Sequence, residues 1–103
     1  MGEVMMNEPS SQPYHFREWT IPSHMMEGIQ RYIEHGIPPG DFLTAVIMND
    51  FQGAVGRADD ENQHHLPAYT AYFFNEAPSE CWGSDEKMRA WIKRKRAKDV
   101  RLL

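Results

Sequence analysis

At the centre of the predicted fold is the stretch His35-Gly36-Ile37-Pro38-Pro39-Gly40-Asp41-Phe42. Glycine is suited to the left-handed residue that follows a helix, and the Pro38-Pro39 pair cannot continue one. The stretch therefore predicts that one helix ends at Gly36 and that a second begins near Asp41. If Gly36 or Gly40 has a positive φ, its replacement by alanine is expected to destabilise the protein by about 1 kcal/mol or more.

Helical periodicity extends on both sides of this turn. The first helix is predicted to open at Pro22-Ser23, with Ser23 as its N-cap. Its apolar residues follow the 3, 4 spacing of a buried face: Met26, Ile29 and Ile33. The second helix is predicted to be the longest in the molecule, running from Asp41 towards Asn62. Its buried stripe is expected to comprise Leu43, Ile47, Phe51 and Ala54.

The remaining elements are predicted from local signals. A third helix is expected to begin at Asp59 or Asp60, with a kink or restart at Pro67. The last helix is predicted to open at Ser84. Before the first helix, three aromatic residues favour an extended strap over an edge strand: Tyr14, Phe16 and Trp19. The predicted fold class is all-α, a compact bundle of four to five helices with an extended N-terminal strap.

Length and composition predict one globular domain. The 103 residues support one modest core, and we expect a mobile arm over 1–13, a helical domain over 14–98 and a short tail over 99–103. No apolar run is long enough to span a bilayer, and no secretory signal is evident. A single cysteine, Cys81, fits a reducing compartment. We therefore predict a cytoplasmic protein that does not interact with membranes.

Charge is divided unevenly along the chain. Residues 87–103 contain eight basic residues and one acid, a net charge of +7, whereas residues 1–86 carry −11. This split suggests an anionic partner or head-to-tail assembly. The simpler alternative is that the basic residues form a solvated helix end without a partner. The run Lys93-Arg94-Lys95-Arg96 surrounds a helix, which favours non-specific electrostatic contact over a recognition helix.

Catalytic and metal-binding patterns are weak. His64 and His65 would project about 100° apart on a helix, so both cannot easily face one ion. A lone cysteine such as Cys81 is more often a small buried hydrophobe than a nucleophile. We therefore predict no enzymatic activity, no metal site and no cofactor.

Ligand binding has better candidates. Trp82 could stack on a flat ring while N–H groups near Gly83-Ser84 receive a phosphate, or it could simply fill the core. Arg57 could bind an anion, or pair internally with Asp50 or Asp60.

Several strings together resemble a family of small accessory proteins of tailed phages and prophages. They are Gly36-Ile-Pro-Pro-Gly40-x-Phe-Leu-x-Ala-Val46, Asn49-Asp50, Gly56-Arg-Ala-Asp59, Asn62, Asn75-x-Ala-Pro-Ser79, Cys81-Trp-Gly-Ser84 and Trp91-Ile92. The likeness covers roughly residues 19–92. The family is in turn similar to anti-CBASS nucleotide sponges, which bind cyclic-nucleotide defence signals without cleaving them.

The resemblance implies a protein of the infected bacterial host cell that sequesters a small anionic nucleotide, and we expect a homo-oligomer. In this hypothesis the ligand contacts come from Trp82, Ser84, Arg57, Asn49, Asp60, Asn62 and Tyr14. The first alternative is a protein-interaction module, either a phage structural protein or a host-takeover factor. The next is a nucleic-acid-binding accessory protein that uses the basic C-terminal helix.

Overall fold

The computed structural model describes residues 11–101, with side chains as far as Lys98. Its elements are β1 Tyr14–Phe16, β2 Trp19–Ile21, α1 Ser23–His35, α2 Asp41–Ile47, α3 Phe51–Arg57, α4 Asp60–His64, α5 Leu66–Asn75, a 3₁₀ turn Ser79–Cys81 and α6 Asp85–Arg101. The fold is mostly helical, but it is not purely all-α, because a two-stranded sheet precedes the helices. The first ten residues of the arm predicted over 1–13, and the last two residues of the chain, lie outside the described part.

The predicted strap is a β-hairpin. β1 and β2 pair antiparallel with Phe16 opposite Trp19, so that only two residues form the turn. The first of them, Arg17, has φ 56°. Residues with positive φ suit two-residue hairpin turns because their twist matches that of the strands. The hairpin lies on α5, where Tyr14 meets the Tyr72 ring edge-on with centroids 5.2 Å apart.

Helix α1 confirms the prediction at its end and corrects it at its start. Gly36 follows the helix with φ 68° and ψ 27°, so it ends α1 in the left-handed conformation that a glycine adopts easily. At the other end the N-cap position is held by Pro22, and Ser23 is the first helical residue rather than the cap. The carbonyl of Pro22 accepts the N–H groups of Met25 and Met26, at 3.0 Å each.

The prediction of one long second helix is wrong. The chain from Asp41 to His64 instead forms the three short helices α2, α3 and α4. Asp50 caps α3 by accepting the N–H of Gly53, and Asp59 caps α4 by accepting the N–H of Asn62. The predicted restart near Pro67 is confirmed, because α5 begins one residue before it.

The longest helix is α6, and it closes the core. Its start is as predicted, because the Ser84 hydroxyl accepts the N–H of Lys87 at 3.1 Å. Trp91 is buried, and its indole N–H donates to the carbonyls of Tyr32 and Ile33 near the end of α1. These bonds join α6 to α1 directly.

Candidate functional site

The predicted ligand-binding residues lie in three places. Trp82 and Ser84 are in the loop before α6, Tyr14 is on the hairpin, and the rest lie between the end of α2 and α4. The N–H of Gly83 donates to the carbonyl of Ile47 at 2.8 Å, which holds the first loop beside the end of α2. The loop is therefore near Asn49 in space but is fixed by bonds within the protein.

In the loop before α6, two of the groups at the predicted phosphate site have partners within the protein. The N–H of Gly83 is already donated, and the Ser84 hydroxyl already caps α6. The Lys87 ammonium closes over the same loop by donating to the Ser79 carbonyl at 3.1 Å. Trp82 is half-buried and packs against the core, with its ring 6.3 Å from that of Phe73. The core-filling interpretation of Trp82 therefore fits this geometry.

Asn49 has a structural role at the end of α2. It has φ 64°, and its N–H donates to the carbonyl of Val46 while the N–H of Asp50 donates back to Ala45. This pair of bonds is the Schellman arrangement that ends helices at a left-handed residue, normally glycine and sometimes asparagine. Asn49 therefore breaks the helix that periodicity predicted to continue.

We expect Asn49→Gly to have a free energy of unfolding equal to that of the wild type or higher by up to about 0.5 kcal/mol. Asn49→Ala should lower it by about 1 kcal/mol, because a left-handed conformation is unfavourable for a residue with a Cβ and no local polar group. Urea denaturation followed by circular dichroism measures both. Equal stability of the two variants would contradict this role for Asn49.

The polar groups of α3 and α4 are largely engaged with one another. Arg57 lies 3.9 Å from Asp50 in an exposed ion pair, one of the two internal pairings considered for it. The Asn62 side chain accepts the Tyr69 hydroxyl at 2.8 Å. Burial raises the pKa of Tyr69, and Asp59 and Glu61 add to that effect. Tyr69 therefore remains a neutral donor to Asn62, while Asp60 is exposed on α4.

Tyr14 lines a cavity of about 640 Å³ between the start of the described chain and α1. The other side chains that line this cavity include those of Met26, Gln30 and Glu34. The Gln30 amide donates to the Tyr72 hydroxyl at 3.4 Å, which places Gln30 beside the Tyr14–Tyr72 ring pair. Trp82 and Arg57 do not line this cavity, so the structure separates Tyr14 from the other predicted base-stacking residue and from the predicted phosphate ligand.

Cys81 lies in the core, where burial raises the pKa of its thiol to about 11. Its carbonyl accepts the buried Tyr32 hydroxyl at 2.6 Å. A thiol with a raised pKa is a poor nucleophile near neutral pH, because only the thiolate reacts. The environment of Cys81 therefore gives it a packing role.

Cys81 should react slowly with a thiol reagent such as dithionitrobenzoate at pH 8 in the native protein. We expect a full equivalent of thiol to react rapidly in 6 M guanidinium, which unfolds the chain and restores the ordinary pKa. Raising the pH should continue to accelerate native labelling up to about pH 11, because the thiolate fraction rises until the pH reaches the pKa. Rapid stoichiometric labelling of the folded protein at pH 8 would contradict the buried position.

The two adjacent histidines have different surroundings. The Nδ1 atom of His65 accepts the N–H of Thr20 at 2.9 Å, which ties β2 to the start of α5. The His64 ring meets that of His65 edge-on, with centroids 4.9 Å apart. Among the side chains that the structure describes, residues 11–98, no group of three or more histidine, cysteine or acidic residues is arranged to hold a metal ion.

The feature that sequence reasoning missed is an exposed apolar face. Phe51, predicted to be buried, is 74 % exposed on α3, and Phe74 is 75 % exposed on α5. Phe51 borders one shallow cavity and Phe74 borders another of about 450 Å³, and Thr70 lines both. We call this surface the phenylalanine face, and it is formed by Phe16, Phe51, Leu66, Pro67, Thr70 and Phe74. The only signal of Phe74 in the sequence is its position directly after Phe73, because adjacent residues on a helix project about 100° apart.

Comparison of the chain with models of protein families, with curated proteins and with solved structures gives no match. In the part of the chain that the structure describes, no helix is both long enough and apolar enough to cross a membrane.

Proposed function

We propose that the protein is a non-catalytic interaction module that acts as a homodimer joined through the phenylalanine face. The observation that carries this proposal is the exposure of Phe51 and Phe74 beside two cavities that have Thr70 in common. Single exposed apolar residues are ordinary, but contiguous apolar surface on a small protein marks an interaction site. Aromatic side chains also contribute strongly to binding when they are buried at an interface.

Charge favours a second copy as the occupant of this face. At one end, the Arg17 guanidinium lies over the Phe16 ring, 5.0 Å from its centroid. At the other end, beside Phe51, lies the carboxylate of Asp50. A two-fold axis through the middle of the face brings each end of one copy to the opposite end of the other. Arg17 of one copy would then face the exposed Asp50 of the second, which also lies 3.9 Å from Arg57 of its own chain, so the contact would extend an existing ion pair across the dimer.

The test is the mass in solution, measured by multi-angle light scattering over a range of concentrations. We expect the wild type to reach about 24 kDa, twice the 12.0 kDa of the chain. Phe51→Gln with Phe74→Gln should give the monomer mass, because burying each phenylalanine contributes about 1.5–3 kcal/mol. Both side chains are exposed, so the variant should keep the wild-type melting temperature to within a few degrees.

Ile37→Gln is the matched control, because Ile37 is 40 % exposed in the turn after α1 and is not part of the phenylalanine face. It should remain dimeric. A monomeric wild type at high concentration, or a dimeric double variant, would overturn the proposal. If the full chain is a monomer and becomes a dimer when residues 1–10 are deleted, the occupant of the phenylalanine face in the full chain would be its own N-terminal segment.

A second candidate is the nucleotide sequestration predicted from the resemblance to phage accessory proteins. It is favoured by the cavity beside Tyr14, because its volume of about 640 Å³ is within the range of small-molecule sites. Tyr14 offers a ring for stacking, and Gln30 and Glu34 offer groups for the polar edge of a base. The negative charge of Glu34 favours amino groups over phosphate there. The phage origin and the cytoplasmic location remain predictions.

Isothermal titration with a panel of cyclic mononucleotides and cyclic oligonucleotides tests this candidate. Binding at the cavity predicts heat with the wild type, little heat with Tyr14→Ala, and retained heat with Tyr14→Phe, which keeps the ring. Chromatography of the nucleotides after incubation should return them intact, as expected for a protein that is not an enzyme. The candidate is wrong if no nucleotide produces heat above dilution.

A further inference from the structure

The second half of α6 is a basic helix that extends beyond the body of the protein. At 17 residues, α6 is about 25 Å long. Its contacts with α1 extend as far as Lys95, because a Cβ added to Gly36 would stand 2.8 Å from the Lys95 Cβ. The following residues Arg96, Ala97 and Lys98 are all exposed. The helix therefore passes the end of α1 and continues into solvent.

Four cations are exposed on this part of α6: Lys93, Arg94, Arg96 and Lys98. No acid occurs between Lys87 and Lys98 in the sequence. Arg89, one turn earlier, is paired with Asp85 at 3.0 Å. The ion pairs found between described residues do not include the four cations. The helix thus presents concentrated positive charge, whereas residues 1–86 carry −11.

Part of this charge is held in place by the body. The Arg94 guanidinium lies over one side of the buried Trp91 ring, 4.7 Å from its centroid, and the Lys95 ammonium lies 4.8 Å from the same centroid. Such contacts between a cation and an aromatic face restrict a flexible side chain. Arg94 and Lys95 are therefore positioned by the core, and Arg96 and Lys98 project from a helix that those contacts support.

We propose that the outer half of α6 binds the phosphodiester backbone of nucleic acid. Like charges repel one another along a helix, so the run is stabilised when closely spaced anions neutralise it. The projecting segment has the diameter of a bare helix, which the major groove of a duplex can admit. Cations on several sides of the helix contact phosphates without reading bases, so the binding is independent of sequence. This site is separate from the phenylalanine face and does not depend on dimerisation.

Fluorescence anisotropy with the full chain tests the proposal, using a labelled 20-base-pair duplex and a labelled 20-nucleotide single strand at low salt. The test variant is Lys93→Gln, Arg96→Gln and Lys98→Gln, which leaves Arg94 and Lys95 on Trp91. Glutamine preserves helix propensity. The matched body control makes the same change in net charge at exposed positions outside the outer half of α6 and outside the phenylalanine face, through Arg31→Glu and Arg89→Gln.

We expect the wild type and the body control to bind both probes with a clear salt dependence. The α6 variant should bind at least tenfold more weakly. Its slope of log K against log salt for the duplex should be smaller by about 2.7, since each lost phosphate contact removes about 0.9. Circular dichroism should show the same melting temperature for the α6 variant and the wild type.

Three results would overturn the proposal. The first is an α6 variant that binds as tightly as the body control. The second is equal competition by poly-glutamate and by unlabelled duplex, which would show an affinity for carboxylates as good as that for phosphodiesters. The third is loss of the dimer mass in the α6 variant without loss of nucleic-acid binding, which would assign the helix to the acidic body of a second copy.

Discussion

Gly36→Ala should lower the free energy of unfolding by about 3 kcal/mol. Gly36 has φ 68°, a conformation that is unfavourable by about 1–2 kcal/mol for a residue with a side chain. The added Cβ would also stand 2.8 Å from the Lys95 Cβ and 3.1 Å from the Ile92 carbonyl oxygen. Relieving such overpacking typically costs about 1–3 kcal/mol. Equilibrium urea denaturation followed by far-ultraviolet circular dichroism measures the loss.

Gly56→Ala and Gly40→Ala are the controls for this effect. Both positions have open space around an added Cβ. Gly56 lies inside α3, so alanine should raise the free energy of unfolding by about 0.5–1 kcal/mol. Gly40 has φ −70°, so the destabilisation expected for a positive φ does not apply there. A Gly36→Ala protein within 1 kcal/mol of the wild type would contradict the close packing of α1 against α6.

Trp91→Ala should lower the free energy of unfolding by about 3–5 kcal/mol, the usual loss when a buried tryptophan is truncated. Trp91 is 5 % exposed and lies between α6 and α1. Its indole N–H reaches the carbonyls of Tyr32 at 3.3 Å and Ile33 at 3.1 Å. Carbonyls at the end of a helix need partners outside that helix, and the Trp91 indole N–H of α6 is such a partner for α1.

Trp91→Phe separates the two contributions, because phenylalanine retains most of the apolar volume and loses the N–H. We expect a loss of about 1–2 kcal/mol, smaller than that for alanine. Unfolding should be followed by circular dichroism, since both variants remove a fluorophore. Equal losses for alanine and phenylalanine would mean that the buried ring contributes nothing by packing, which would contradict the role of Trp91 in closing the core.

The sequence predicted those parts of the fold that local chemistry determines. Gly36 followed by two prolines ends α1, and Ser84 caps α6, because each signal acts within a few residues of the backbone it controls. Pro67 similarly marks the start of α5. These elements could be located without knowing what they pack against.

Two errors in the predicted fold came from residues other than glycine that adopt a positive φ. Asn49 ends α2 where the apolar periodicity continues, and Arg17 forms a hairpin turn that carries no Asn-Gly or Gly signal. In both cases the surrounding contacts select the conformation. The hairpin, for example, is stabilised by α5, which lies about fifty residues later in the chain.

The prediction of the candidate site was limited by the same two errors. Because the helix breaks at Asn49, Phe51 turns towards solvent, whereas the other three residues of the predicted stripe are buried: Leu43, Ile47 and Ala54. Asn62 and Arg57 were recognised as polar groups on one surface, but their partners Tyr69 and Asp50 could be identified only in three dimensions. Sequence patterns predict amphipathic faces, not which of them remain uncovered.

Disulfide cross-linking at the middle of the phenylalanine face tests the proposed dimer most directly. Thr70 is exposed and lines both cavities of the face, so a two-fold axis there places the two copies of this residue close together. The native Cys81 is buried and should not interfere. Thr70→Cys should therefore give a covalent dimer on a non-reducing gel after mild oxidation, and the exposed position Ala90→Cys on α6 should give little. Equal cross-linking at the two positions, or none at Thr70→Cys, would contradict a dimer joined through the phenylalanine face.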